Sequence, residues 1–532
     1  MKVKHLFLAV LFIHTLAHSQ YKLSKKQIVW SEDLKASKKS TLSDLLTGAK
    51  GDFFAIKHQR KGFYGLSSSF SLEHFDKNMK FLKANEIEIM FEKKELKMEN
   101  LVFYGNELLL FSSFSNTKLK KNFLFVQTVN QNTLKLNDDL KKVAEISFEK
   151  KSRYNNGNYG FEVSRDSSKM LVYYNMPYDK KDNEKYGFHV FDINMKELWH
   201  KQVVLPYSDQ LFDVQDYEVS NNSDVYLVGK LYDEKFKESI KDEPNYAYKI
   251  IAYKDAGNVS VTSDIELKDK YIQALNIAIN NNDEIIGTGF YSNSSGQGVK
   301  GVFFTRLNKE TGKIEKQSYK EFGVDFIKQN LTIKEEKKVD KKIKKGDNVE
   351  MYKYYLDNIV FKEDGGVVIV AEQYFVRTST YTVYSQNGGS RTYTTYHYYY
   401  NDIIVSSISP EGDIVWTEKI AKRQRTSNDQ GFYSSYALAV KDNKLYFIFN
   451  DNVKNYFDNK QGEYFNGFAG GLKSSVVTMV ILDTDGNKTK EVLFNTKDQE
   501  IIIRPKVCEQ LNDELVIFGQ KKKTQKYAKV KL

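Results

Sequence analysis

Asp413-Ile414-Val415-Trp416-Thr417-Glu418 has two counterparts in the chain, Gln27-Ile28-Val29-Trp30-Ser31-Glu32 and Lys196-Glu197-Leu198-Trp199-His200-Lys201. The three hexapeptides hold all 3 tryptophans of the 532 residues. Each sets an apolar residue before the indole and a small or polar one after it. A rare residue that recurs in one local context marks an internal repeat. The first copy lies near the start of the chain. A ring of repeated sheets closes in this way, with an N-terminal strand completing the last unit.

A second signature recurs eight times, a polar turn followed by a continuous apolar run. It begins with Gly51-Asp52 before Phe53-Phe54-Ala55-Ile56 and Gly105-Asn106-Glu107 before Leu108-Leu109-Leu110. It returns after Asp166, Asn222, Asn282, Asp364 and Asp442, and ends with Asn512-Asp513-Glu514 before Leu515-Val516-Ile517-Phe518. Apolar runs bounded by turns read as strands buried on both faces. An alternating strand precedes each run, as in Tyr271 to Ala278, and a third follows, as in Gly301 to Leu307. A turn such as Ser409-Pro410-Glu411-Gly412 leads to a fourth, which carries the tryptophan. Four antiparallel strands repeated about an axis make a β-propeller blade.

The expected fold is therefore all-β, an eight-bladed propeller with seven blades as the alternative. The eighth unit, about Ile501 to Lys531, lacks a fourth strand, and Lys26 to Glu32 would fill the vacancy. The first unit, Thr41 to Ile87, shows no clear leading strand. Spacings of roughly 55 to 80 residues exceed the 40–45 of WD40 blades, so long loops decorate the ring.

Residues 1–19 read as a secretory signal. Lys2 and Lys4 form the charged end, Leu6 to Leu16 the apolar stretch, and Ala17-His18-Ser19 the cleavage site. Residues 20–532 then form one exported domain that does not span a membrane, since no later run approaches about 18 apolar residues. The net charge of +11, two of it from Lys2 and Lys4, is interspersed with acids and implies solubility, with no nucleic-acid partner. Cys508 is the only cysteine, so no intrachain disulfide is available. The 36 tyrosines and 35 phenylalanines must supply the buried area instead.

Two insertions interrupt the blades. Phe322 to Asn348, within an insertion at about 322–350, reads as one helix with an apolar start and a basic tail at Lys341, Lys342, Lys344 and Lys345. It is a solvated helix on the ring or a docking element for an acidic partner. The second insertion, about 375–400, is a tyrosine-rich hairpin turning at Asn387-Gly388-Gly389. Tyr381, Tyr384, Tyr393, Tyr396, Tyr398 and Tyr400 are its candidate recognition residues, with Tyr396, Tyr398 and Tyr400 on one face. Cross-strand packing is the other reading of these rings.

Chemical motifs are absent. His58, His74, His189, His200 and His397 include no pair at i, i+4, so no metal site is expected. Asp483-Thr484-Asp485-Gly486-Asn487 places its glycine too early for an EF-hand and reads as a turn between strands. There is no GxSxG, and Cys508 falls in an expected strand as a buried small residue. Neither catalytic residues nor a cofactor are expected. Carboxylates are plentiful, but sequence does not say which of them meet across an axis.

Gly412-Asp413-Ile414-Val415-Trp416 resembles the tail of the tryptophan-docking repeat of quinoprotein-like propellers. Asn308-Lys309-Glu310-Thr311-Gly312 resembles its head, with Lys316 standing where a tryptophan is expected. That group includes a non-enzymatic scaffold of outer-membrane protein assembly. The chain as a whole is similar to exported β-propellers of Bacteroidetes, through the signal ending Ser19-Gln20, the hairpin ending Tyr398-Tyr399-Tyr400-Asn401 and the basic helix. This resemblance implies the fold and export, and no activity.

The expectation for function is a non-catalytic scaffold of the cell envelope that binds a protein partner. It would be periplasmic or associated with the outer membrane, and its specific form is a subunit at an export or assembly channel. The alternative is a propeller enzyme acting on polysaccharide, a glycosidase or lyase. A quinoprotein dehydrogenase is a third reading.

Overall fold

The computed structural model describes residues 23–532 apart from 36–39, 49, 62–66, 150–154, 235, 241–242, 297, 385–389, 457–465 and 523. The stretch expected to be a signal, residues 1–19, and the Asn387-Gly388-Gly389 turn lie outside the described residues. Strands dominate, and among the described residues eight antiparallel sheets hold four or more strands each. In seven of them four consecutive strands pair in chain order, apart from short side strands. The first is Ser40–Thr47, Phe53–Lys61, Ser67–Phe75 and Phe81–Ile87, so the leading strand hidden in the sequence exists.

The eight recurring turns join the first strand of each sheet to its second. Each carries a residue of positive φ: Gly51, Gly105, Ser167, Ser223, Asp283, Gly365, Asn443 and Asn512. Glycine, asparagine and aspartate tolerate that backbone best, which explains why the polar turn was the repeating signal.

Core packing closes the ring. Eight apolar clusters each join two consecutive sheets. One sets Phe53 and Phe75 of the first sheet against Phe518 and Tyr527 of the eighth, with Phe53 and Phe75 stacked at 4.7 Å. The first strands of neighbouring sheets also touch. Phe212–Val219, for example, meets both Asn158–Val163 and Tyr271–Ile279, so first strands line the axis and fourth strands the rim. The fold is an all-β propeller.

The N-terminal strand Ile28–Trp30 pairs with Thr524–Lys531, Ile28 opposite Val530 and Trp30 opposite Ala528. It is the outer strand of the eighth sheet.

The tryptophans dock onto turns of the next sheet. Trp199 Nε1 donates to the Ser223 carbonyl at 3.0 Å, and Trp416 Nε1 to the Thr484 carbonyl at 2.8 Å. Gly257 and Gly486 lie beneath the two indoles, where an added Cβ would come within 2.9 and 3.0 Å of the ring. Lys316 takes the equivalent place over Gly412 and pairs with Asp413 at 3.1 Å. Trp30 differs, since it meets Phe494 of the seventh sheet edge-on at 5.0 Å.

Two local expectations change. The inserted helix is two helices, Val324–Lys328 and Ile333–Lys344. Asn330 takes φ +67 between them. Thr332 then caps the second helix reciprocally with Glu335, a Thr-x-x-Glu box that competes with helix continuation. Cys508 lies between the turn Pro505–Val507 and the strand Glu509–Leu511 rather than within a strand. Burial pushes its thiol up to about 12, so it is no nucleophile near neutral pH. Asp483 to Asn487 is the turn expected, with Asp483 accepting from the Asp485 and Asn487 amides. No helix among the described residues is long and apolar enough to cross a membrane.

Candidate functional site

The two insertions converge on one cleft of about 660 Å³. Its outer wall is the inserted helix pair, through Ile327, Leu331, Lys338, Val339 and Lys342. Its inner wall is the base of the tyrosine hairpin. The hairpin strands Val367–Tyr384 and Ser390–Ile408 belong to the sixth sheet at their lower ends. Beyond a bulge at Gln373 they continue past the sheet, with Gln424–Ser427 added alongside.

Aromatic rings form the floor. Phe375 stacks on Tyr399 at 4.7 Å, and Tyr352 meets Phe375 edge-on at 5.2 Å. Arg377 lies over Phe375 and Tyr399, and Arg425 over Tyr399 at 5.6 Å. Guanidinium groups on ring faces are held in plane with their edges available to an anion.

Cations also tether the helices. Lys419 Nζ donates to the carbonyls of Phe326 at 2.7 Å and Gln329 at 3.2 Å. Arg423 reaches the Asn330 carbonyl at 3.3 Å. These carbonyls end the first helix, where cations are favoured. Burial lowers the Lys419 ammonium to about 8, against the pull of Asp402. Burial likewise raises Asp402 to about 6.

The six lysines and arginines of the cleft face three carboxylates, all engaged internally. Glu335 closes the capping box, Glu350 accepts from Ser292 and Asn348, and Asp402 accepts from the Lys422 amide. The surplus is positive.

Both insertions expected from the sequence border the cleft, but most of the residues expected to recognise a partner do not line it. Of the four candidate lysines, all exposed, Lys342 lines the cleft beside Lys338, while Lys341, Lys344 and Lys345 lie outside it. None of the six chosen tyrosines lines it. Tyr381 and Tyr393 stack on each other at 5.3 Å across the outer hairpin and stay exposed, as does Tyr396. Tyr384 pairs through its backbone with Ser390. Tyr398 is half-buried opposite Val376. Tyr400 is buried at 3 % exposure and accepts from Lys506 Nζ at 2.6 Å, so it belongs to the ring interior rather than to an exposed face of the hairpin. The cleft uses the opposite face of the strand, at Tyr399.

The axis holds a feature no motif announced. First strands bulge at one polar residue, Ser43, Gln215, Gln273 and Asp357 in four sheets, and Glu99 occupies the same position in the second. A recurring polar residue in an otherwise alternating strand was the available signal. Glu162, Asp216 and Glu218, on the neighbouring strands Asn158–Val163 and Phe212–Val219, form a carboxylate group there. Burial and then Asp216 raise Glu162 to about 7, and burial, Asp216 and Glu162 raise Glu218 to about 8.

These raised carboxyls make stability depend on pH. Below about pH 4 both states hold the proton, and between about pH 4.5 and 8 only the folded chain does, so stability falls as pH rises. The expected loss is on the order of 3 kcal/mol per carboxyl before solvent screening reduces it. Urea unfolding at pH 5 and 8.5 measures this. Glu162→Gln and Glu218→Gln should flatten the dependence, and parallel curves for wild type and variants would remove the assignment.

No protein-family model matches the chain, and no curated protein matches it. Among solved structures, the WD40 domain of SCAP from fission yeast is similar over 97 % of this chain and 98 % of that one, at 9 % identity and a TM-score of 0.38. The β-propeller domain of the Trilobed protease from Pyrococcus furiosus is similar over 87 % and 98 %, at 11 % and 0.34. An α-L-arabinanase from Penicillium chrysogenum is similar over 66 % and 94 %, at 12 % and 0.31.

Proposed function

We propose that this chain is an exported, non-catalytic propeller that holds an acidic segment of a protein partner in the cleft between its inserted helices and the base of its hairpin. The observation that carries this reading is the positive surplus over an aromatic floor, with every carboxylate of the cleft already bonded within the chain. An extended segment carrying Asp or Glu beside an apolar residue matches both features. We further propose eight blades about one axis, and a place in the bacterial cell envelope, at the periplasmic side of an export or assembly channel.

The test uses a fluorescent peptide of alternating Glu and Phe and the full mature chain. Anisotropy should report binding that weakens with salt, and Arg377→Glu with Arg425→Glu should weaken it roughly tenfold or more. A photo-crosslinker at Tyr399 should trap an acidic segment of one envelope protein, and lose it in the charge-reversed variant. Binding indifferent to both charge reversals would end the proposal.

A second reading, an enzyme acting on polysaccharide, is favoured by Glu162, Asp216 and Glu218. Glycosidases pair a raised carboxylic acid with an ionised partner. Glycan hydrolysis abolished by Glu218→Gln would move the function from the cleft to the axis.

A further inference from the structure

His189, Glu197 and His200 gather on the rim of the third sheet, away from both sites above. His189 lies on Asn183–Asp192 and His200 on Glu197–Ser208, the third and fourth strands. The two histidines are direct cross-strand partners. Glu197 is three residues from His200, and regular alternation would put it on the other face. The register shift between Val190 and Phe191 leaves Leu198 as an extra residue and sets Glu197 opposite Phe191. Phe191 shares the face of His189. The bulge therefore brings Glu197 onto the face of both histidines.

The geometry is close. His189 Nδ1 lies 2.9 Å from one Glu197 oxygen and His200 Nδ1 2.7 Å from the other. The two rings stack at 5.2 Å. One donor atom from each residue falls within 4.8 Å of the others. The group faces a groove of about 730 Å³ whose far wall is Lys142 to Glu145 of the second sheet. The nearby cations are engaged: Lys142 with Glu145 at 2.9 Å and Lys201 with the Gly257 carbonyl. His189 is 14 % exposed, Glu197 39 % and His200 62 %, so one side of the group opens to water.

We propose that His189, Glu197 and His200 form a binding site for a first-row divalent transition-metal ion, Zn²⁺ foremost. Two imidazoles and a carboxylate suit such ions, whereas Mg²⁺ and Ca²⁺ prefer oxygen throughout. Tetrahedral Zn²⁺ with bonds near 2.0 Å needs donors about 3.3 Å apart, so the two hydrogen-bonded contacts open by roughly half an ångström. His200, exposed on a rim strand, supplies that movement. Three protein donors leave the fourth position to water or to a group from outside.

The test is calorimetric titration of the full mature chain, made without a histidine tag, with ZnCl₂. One ion per chain is expected, with a rise in melting temperature. His200→Ala and Glu197→Gln should each weaken binding roughly tenfold or more. Cu²⁺ as a second probe should give an electron paramagnetic resonance spectrum with two nitrogen donors, falling to one in His200→Ala. His200 is largely exposed, so that variant folds and decides the matter even if His189→Ala does not. Affinity and spectrum unchanged in His200→Ala would overturn the site.

Discussion

A chain shortened to begin after Lys35 is expected to lose its closed ring and associate. The segment it lacks straddles the seam between the seventh and eighth sheets. Ser24 donates to Glu491 at 2.5 Å and its amide to the Val492 carbonyl at 2.7 Å, while Trp30 packs on Phe494. Ile28 to Trp30 and Leu34 to Lys35 bond to Thr524–Lys531, and Lys526 pairs with Asp33 at 3.0 Å. Half-burial of Ile28 and Trp30 contributes about 1–2 kcal/mol each, and each backbone bond about 1. The sum is on the order of 5 kcal/mol, enough to lower the melting temperature of a chain this long by about 5 °C. The uncovered edge of Thr524–Lys531 would then pair with another chain. Calorimetry and light scattering read both effects, and a peptide of residues 20–35 added in trans should reverse them. A shortened chain that stays monomeric and melts with the full one would refute strand closure as a source of stability.

Breaking the ion pair of Lys422 with Glu372 should cost about as much within a single side chain. The two side chains are 0 % and 5 % exposed and meet at 2.5 Å. Glu372 also accepts from Ser435 Oγ at 2.7 Å. Lys422 donates to Gln424, which in turn accepts from the Ser435 amide and donates to the Asn450 carbonyl. Asn450 then reaches the Ile503 carbonyl at 2.8 Å, so one polar network joins the sixth, seventh and eighth sheets. Nearby, Tyr436 donates to Asp357 at 2.8 Å, a carboxyl that burial raises to about 6. Lys422→Ala or Glu372→Ala leaves a buried charge alone, at about 3–5 kcal/mol. Lys422→Met with Glu372→Leu removes both charges and should recover most of that loss. Urea unfolding of the three variants measures it. Single losses that merely add in the double variant would show that the pair is not coupled.

Local sequence carried what local physics decides. Positive-φ turns need glycine or a short polar side chain, so Gly51, Asn443 and Asn512 were visible as punctuation. Buried strands need continuous apolar runs, so the repeat could be counted and its missing strand found at Ile28–Trp30. The inserted helix and hairpin were legible for the same reason, as breaks in that rhythm. The split at Asn330 was also written locally, in the Thr332 and Glu335 box.

What remained hidden depends on partners distant in the chain. The choice of Tyr399 over Tyr400 for the cleft follows from which face of the hairpin the inserted helices cover. His189, Glu197 and His200 share a face because a single bulge at Leu198 reverses the alternation between them. The Lys422 network joins strands of three sheets, and the carboxylates at the axis meet only where first strands of neighbouring sheets converge. The sequence by itself determined turns, strands and the order of repeats, because these rest on backbone preference and side-chain burial within a few residues. Tertiary structure alone decided which charged and aromatic groups meet, because register, bulges and the closure of the ring set distances that no spacing along the chain encodes.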